Sequence, residues 1–153
     1  MKKMLFALCL MALMILTACG GGTVNKNDLE PSPYNAGDFS GGVTMSASDS
    51  TFSPDTEMVG LRIINTTDKE FYFGADYTLE TQIDGEWYVV PPKEEMSFIM
   101  IAYILEPKGT AEAEAALRGP YGKLSDGQYR VVKGFSSDEG STAAAALFEI
   151  SKG

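Results

Sequence analysis

From Val43 onward the chain is written in short segments that alternate apolar and polar residues, each ended after a few positions by a turn signal. Alternation at period two turns one face of a strand toward a core and the other toward water. A chain built this way can bury its apolar faces only by stacking sheets. VTMSA at 43–47 alternates, and 58–64 puts Val59, Leu61 and Ile63 on one face with Arg62 on the other. Asn65 to Asp68 reads as a turn and 70–74 as a short aromatic strand. Strands at 77–83 and 86–90 flank Asp84-Gly85, a hairpin signal, and Pro91-Pro92 ends the second of them. The apolar run 97–105 lacks strict alternation, which predicts a central strand covered on both faces.

Two segments, AEAEAAL at 111–117 and AAAALFEI at 143–150, have the composition of helix formers. Glu112 and Glu114 alternate with alanines, however, and a helix would smear that charge around its axis. Ala146, Phe148 and Ile150 likewise share one strand face. Both segments are therefore read as strands. The expected fold is all-β, a sandwich of about seven or eight antiparallel strands. In the 77–90 hairpin, a three-residue loop with Gly85 left-handed would oppose Gln82 to Glu86. Tyr77, Leu79, Trp87 and Val89 would then share one core face, and this register is the expected one. A two-residue turn would instead group Leu79 with Tyr88 and Val90.

The first residues obey other rules. Lys2 and Lys3 precede MLFALCLMALMIL at 4–16. Spanning a bilayer takes about 20 apolar residues, so this run is too short for a settled transmembrane helix. It lacks the polar face of a helix packed on a domain. It fits the hydrophobic region of a secretory signal. Leu16-Thr17-Ala18-Cys19 follows at once and resembles the lipobox of bacterial lipoprotein precursors. The resemblance implies a diacylglyceryl group on the Cys19 thiol and cleavage just before it. Residues 1–18 would then be a lipoprotein signal peptide. Residues 19–42, rich in Gly, Asn, Pro and Ser, would be the lipidated N-terminus and a flexible tether. About 20 such residues span roughly 25 Å r.m.s.. Residues 43–153 would be the folded domain, held outside the cytoplasm on a bacterial membrane.

Cys9 lies within the leader, and Cys19 would carry lipid, so no disulfide is expected and stability must come from the core. The leader holds two of the 12 Lys and Arg and none of the 21 Asp and Glu, which leaves a formal charge of −11 on the rest. That balance opposes nucleic acid and adsorption to anionic headgroups. It reads first as a device for solubility.

Histidine is absent from the chain, which removes Ser-His-Asp and Cys-His catalysis and the common zinc sites. Carboxylates neighbour one another at Glu94-Glu95, Glu112/Glu114 and Asp138-Glu139. Adjacent or alternating acids do not build the cleft a glycosidase needs, and they read as solvated charge. The Asn65/Asp68 and Asp84-Gly85 turns lack the oxygen-rich pattern of a calcium loop. No enzyme activity, cofactor or metal is expected. Aromatics at Phe71-Tyr72-Phe73, Trp87-Tyr88 and Tyr121 serve a core on their inward half. An exposed Tyr72 or Tyr88 would suit a glycan or peptide surface.

INTTDKEFYFG at 64–74, YTLETQIDGEWYVVPP at 77–92, YILEPKGT at 103–110 and GPYGKLSDGQYRVV at 119–132 together resemble a bacterial Ig-like domain family of secreted, Firmicutes-type lipoproteins. The resemblance covers about 43–150 and implies an immunoglobulin-like sandwich without an assigned activity. Within it, LSDGQY at 124–129 has the shape of a tyrosine corner, in which the Tyr129 hydroxyl bonds to backbone a few residues upstream and Gly127 supplies the conformation. Trp87 would take the place of the inter-sheet core tryptophan. Two functions stay open. One is a non-catalytic interaction or structural module with a protein or glycan partner. The other is a proteinase inhibitor acting through an exposed loop, with 91–96 and 118–121 as candidates.

Overall fold

The computed structural model describes residues 26–153. The apolar run 4–16, the lipobox residues Leu16, Thr17, Ala18 and Cys19, and the start of the expected tether lie outside the described residues. Among those described the chain forms β1 (Val43–Ala47), β2 (Thr51–Phe52), β3 (Met58–Asn65), β4 (Phe71–Phe73), β5 (Thr78–Ile83), β6 (Glu86–Val89), β7 (Tyr103–Leu105) and β8 (Thr110–Ala116). A single helical turn, α1 (Arg118–Tyr121), then leads to β9 (Gly127–Ser137) and β10 (Gly140–Ile150). Both alanine-rich segments are strands, as their period-two patterning requires.

These strands make a sandwich of two sheets. The smaller has the order β1-β3-β8, antiparallel throughout. The larger runs β2-β10-β9-β4-β7, and β5 also lies on β9 with β6 beyond it. One edge of β9 therefore carries two strands in succession: Tyr72 of β4 pairs with Ser136, and Thr78 to Thr81 of β5 pair with Val132 to Tyr129. The described strands number ten rather than seven or eight, and β2 joins β10 in parallel rather than antiparallel fashion.

The alternation fixes what lies inside. Val59, Leu61 and Ile63 of β3 are buried and face Val131, Phe135, Ala146, Phe148 and Ile150 of the larger sheet in one core. Phe148 packs edge-on to Phe52 with ring centroids 5.5 Å apart, and Phe73 meets Phe135 at 5.5 Å. Truncating a core side chain of this size to alanine costs about 2–5 kcal/mol.

Three expectations need correction. The hairpin turn has two residues, with Ile83 opposite Glu86 and Gln82 opposite Trp87. Asp84 and Gly85 both have positive φ, 53° and 83°, the conformation of a type I′ turn, whose twist matches the flanking strands. Leu79 thus shares the core face with Tyr88 and Val90, while Trp87 faces the other way with Glu80. Trp87 is not the inter-sheet core tryptophan. Second, the run 97–105 is not a covered central strand. Only Tyr103–Leu105 pairs, with β4 alone, and Ile99, Met100, Ile101 and Ile104 are exposed. Third, 26–42 is not a free tether. It is laid along the larger sheet: Val89 donates its N–H to Glu30 O at 2.8 Å, Ser32 donates to Trp87 O at 2.9 Å, and Leu29 is buried.

Candidate functional site

This N-terminal strap covers an ion pair on the outer face of the larger sheet. The register of β5 on β9 sets Glu80 opposite Arg130, on the face turned away from the core. Arg130 donates from Nε to Glu80 Oε2 at 2.6 Å, and its Nη2 lies 2.6 Å from the same oxygen. Ser32 Oγ on the strap donates to Glu80 Oε1 at 2.7 Å and lies 3.2 Å from Arg130 Nη2. The guanidinium sits 4.4 Å from the Trp87 ring centroid and 5.1 Å from that of Phe39. Such stacking on aromatic faces suits the planar, weakly hydrated arginine. Glu80 is 0% exposed and Arg130 8%. A serine touching a carboxylate is not an activated nucleophile here, because both Glu80 oxygens already accept hydrogen bonds within a closed network. The arrangement locks the strap down.

A second buried charge lies on the core side of β9. Lys133 donates from Nζ to Gly74 O at 3.0 Å and Asp76 O at 2.6 Å, with the Phe73 ring centroid 5.8 Å away. It pins the stretch where the chain passes from β4 to β5. Burial pushes its ammonium below the usual lysine range, and the Asp76 charge works the other way. A cavity of about 710 Å³ opens beside it between the sheets, with Arg62, Glu112 and Glu114 on its wall.

The tyrosine corner is formed. Tyr129 is buried, its hydroxyl donates to Ser125 O at 2.9 Å, and its ring stacks near Phe148. Gly127 stands two residues earlier, at the start of β9, with φ 158°. Asn65, read from sequence only as a turn residue, holds the next corner. Its Nδ2 donates to Lys69 O and Glu106 O at 2.6 and 3.0 Å, and its Oδ1 accepts from the Thr67 N–H and hydroxyl. These side chains build the frame and do not converge on a reaction site. Among the described residues, no group of three His, Cys, Asp or Glu is placed to hold a metal ion.

The feature without a structural purpose is the bare edge at β7. Elsewhere on the larger sheet, strap residues 30–32 lie along β6, and the two-residue β2 ends the sheet beside Glu149 and Ile150 of β10. Among the described residues β7 pairs only with β4. Tyr103 stacks on Phe73 at 5.3 Å, and Phe98 packs edge-on to Tyr77 at 5.5 Å, so the segment is anchored at both ends. Between these anchors Ile99 is 69% exposed and Met100 fully so, and Ile101 donates its N–H back to Ile99 O at 3.0 Å. Ile104, 54% exposed, lies directly opposite the exposed Tyr72. The Tyr72 hydroxyl donates to Glu70. That bond, with the charges of Glu70, Asp138 and Glu106, raises its pKa. A groove of about 590 Å³ continues from Tyr72 and Ile101 toward Tyr34 and Asp38 of the strap. The edge strand β7 thus presents an apolar strip, with the carboxylates of Glu70, Glu106 and Asp138 near the adjoining Tyr72.

Of the two segments expected as inhibitory candidates, 118–121 is not an extended loop. It is the helical turn α1, with Tyr121 buried and Arg118 directed to Asp55. Residues 91–95 are exposed, and Lys93 donates its N–H to Pro120 O at 2.8 Å. Residues 40–148 match the family described as bacterial Ig-like domain. No curated protein matches the chain.

Proposed function

Since the chain belongs to the bacterial Ig-like domain family, we propose that it is a membrane-anchored lipoprotein, held outside the cytoplasm through Cys19, whose domain is a non-catalytic interaction module. The order of charged residues, apolar run and Leu16-Thr17-Ala18-Cys19 supports the anchor. The exposed apolar edge from Ile99 to Ile104 carries the interaction. A stretch this apolar is costly to leave in water and prone to edge pairing, so keeping it bare has a use. A photo-crosslinking amino acid at Ile104 in the full chain, in cells, tests this, with the same group at Leu147, exposed on β10, as control. Discrete adducts from Ile104 and none from Leu147 are expected. Absence of adducts at both sites would reject the reading.

A second reading, a proteinase inhibitor, draws on Lys93. This exposed side chain follows Pro91-Pro92, and its backbone is held by Pro120. Inhibition of a trypsin-like protease that is lost in Lys93→Ala would favour it over the first.

A further inference from the structure

Resting on the interaction reading, we infer that the β7 edge accepts an extended, basic segment of a partner protein, which adds to the larger sheet as one more strand. The backbone argument comes first. A strand paired on one side presents N–H and C=O groups on the other, and these can bond only to another extended chain or to water. β7 is such a strand, flanked by the exposed apolar residues that strand addition would cover.

Charge then selects the occupant. Glu70, Glu106 and Asp138 bear on the Tyr72 hydroxyl beside Ile104. None of the three forms an ion pair among the described residues, whereas Lys69 in the same corner is paired with Glu139. A second copy of this chain would bring the same acids to the same edge and a like charge of −11 outside the leader. Edge-to-edge pairing of two copies is therefore repelled, and a segment with lysines or arginines beside apolar residues is drawn in.

The test uses the full chain in nonionic detergent and two labelled nonapeptides, KVKVKVKVK and EVEVEVEVE. Binding of the lysine peptide is expected, weakened at least tenfold by Ile104→Lys, with slowed amide exchange at 99–105 in the complex. The glutamate peptide should not bind. Equal binding of both peptides, lysine-peptide binding untouched by Ile104→Lys, or unchanged exchange at 99–105 would overturn the inference. So would a dimer that Ile104→Lys dissolves, since the occupant would then be a second copy. Circular dichroism of Ile104→Lys establishes that the variant is folded. Adducts from Ile104 in cells, with no peptide binding here, would reject strand addition and leave the interaction reading standing.

Discussion

Arg130 and Glu80 meet at 2.6 Å on the outer face of the larger sheet, and a serine from the N-terminal strap closes over them. Removing one partner would leave the other charge buried and unpaired. Glu80→Met should therefore destabilise the fold by about 3–5 kcal/mol, whereas Glu80→Met combined with Arg130→Met should recover most of the loss. Chemical denaturation checks this. A loss in the double variant equal to the sum of the two single losses would show that the pair is not coupled.

The strap can be tested through the chain's one tryptophan. Trp87 is half-buried under Arg130, beside strap residues 30–32. Deleting residues 26–40 should shift its emission to the red and lower the unfolding midpoint. An unchanged spectrum would mean that the strap does not shield the ring.

Tyr129 gives a smaller effect with a sharper meaning. Tyr129→Phe keeps the ring and removes the bond to Ser125 O. A loss of about 1–2 kcal/mol is expected in denaturation. An unchanged midpoint would show that water replaces the bond without cost.

Alkaline pH should destabilise the protein through its buried tyrosines, Tyr121 and Tyr129 foremost. Burial raises the pKa of Tyr121 and Tyr129 above the ordinary value of 10.0. The folded state holds these protons more tightly than the unfolded chain. The stability they contribute is therefore complete below pH 10 and lost as pH rises through their folded values. Lys133 has the opposite sign, because its folded pKa is lowered, so folding gains as pH rises toward 10.5. Denaturation midpoints should fall above pH 10, less steeply in Tyr121→Phe. A flat profile in the wild type would contradict the assigned burial.

Much of the frame was legible from period two alone. Val59, Leu61 and Ile63 on one strand, and Ala146, Phe148 and Ile150 on another, face the core as their spacing requires. The hairpin register was not legible, because one residue of loop length turns every side chain over. The rule that apolar residues gather on one face also misled there, since the strap half-buries Trp87 on the outer face. The run 97–105 has the composition of a covered strand. Its exposure follows from a partner, β4, only three residues long, a tertiary fact that no local pattern carries. Glu80, Arg130 and Lys133 carried no signal of their burial for the same reason, since their partners are remote in sequence. The strap's Gly, Pro and Asn content suggested a tether, yet backbone bonds to β6 and side-chain bonds to Glu80, Asp84 and Thr142 hold it, and composition registers neither.

Anchoring through Cys19 is tested most directly by fractionating cells that express three forms of the chain. Outside the leader the formal charge of −11 opposes adsorption to anionic lipid. No described helix is long and apolar enough to cross a membrane. Acyl chains contribute about 0.8 kcal/mol per buried methylene, and two chains suffice for stable attachment. The wild type should pellet with membranes through a high-salt wash. Cys19→Ala should accumulate as uncut precursor. A chain whose first 19 residues are replaced by an ordinary cleavable signal should be released soluble and folded. If that last form still pelleted with membranes after the wash, a second anchor would hold the protein and attachment through Cys19 would be refuted.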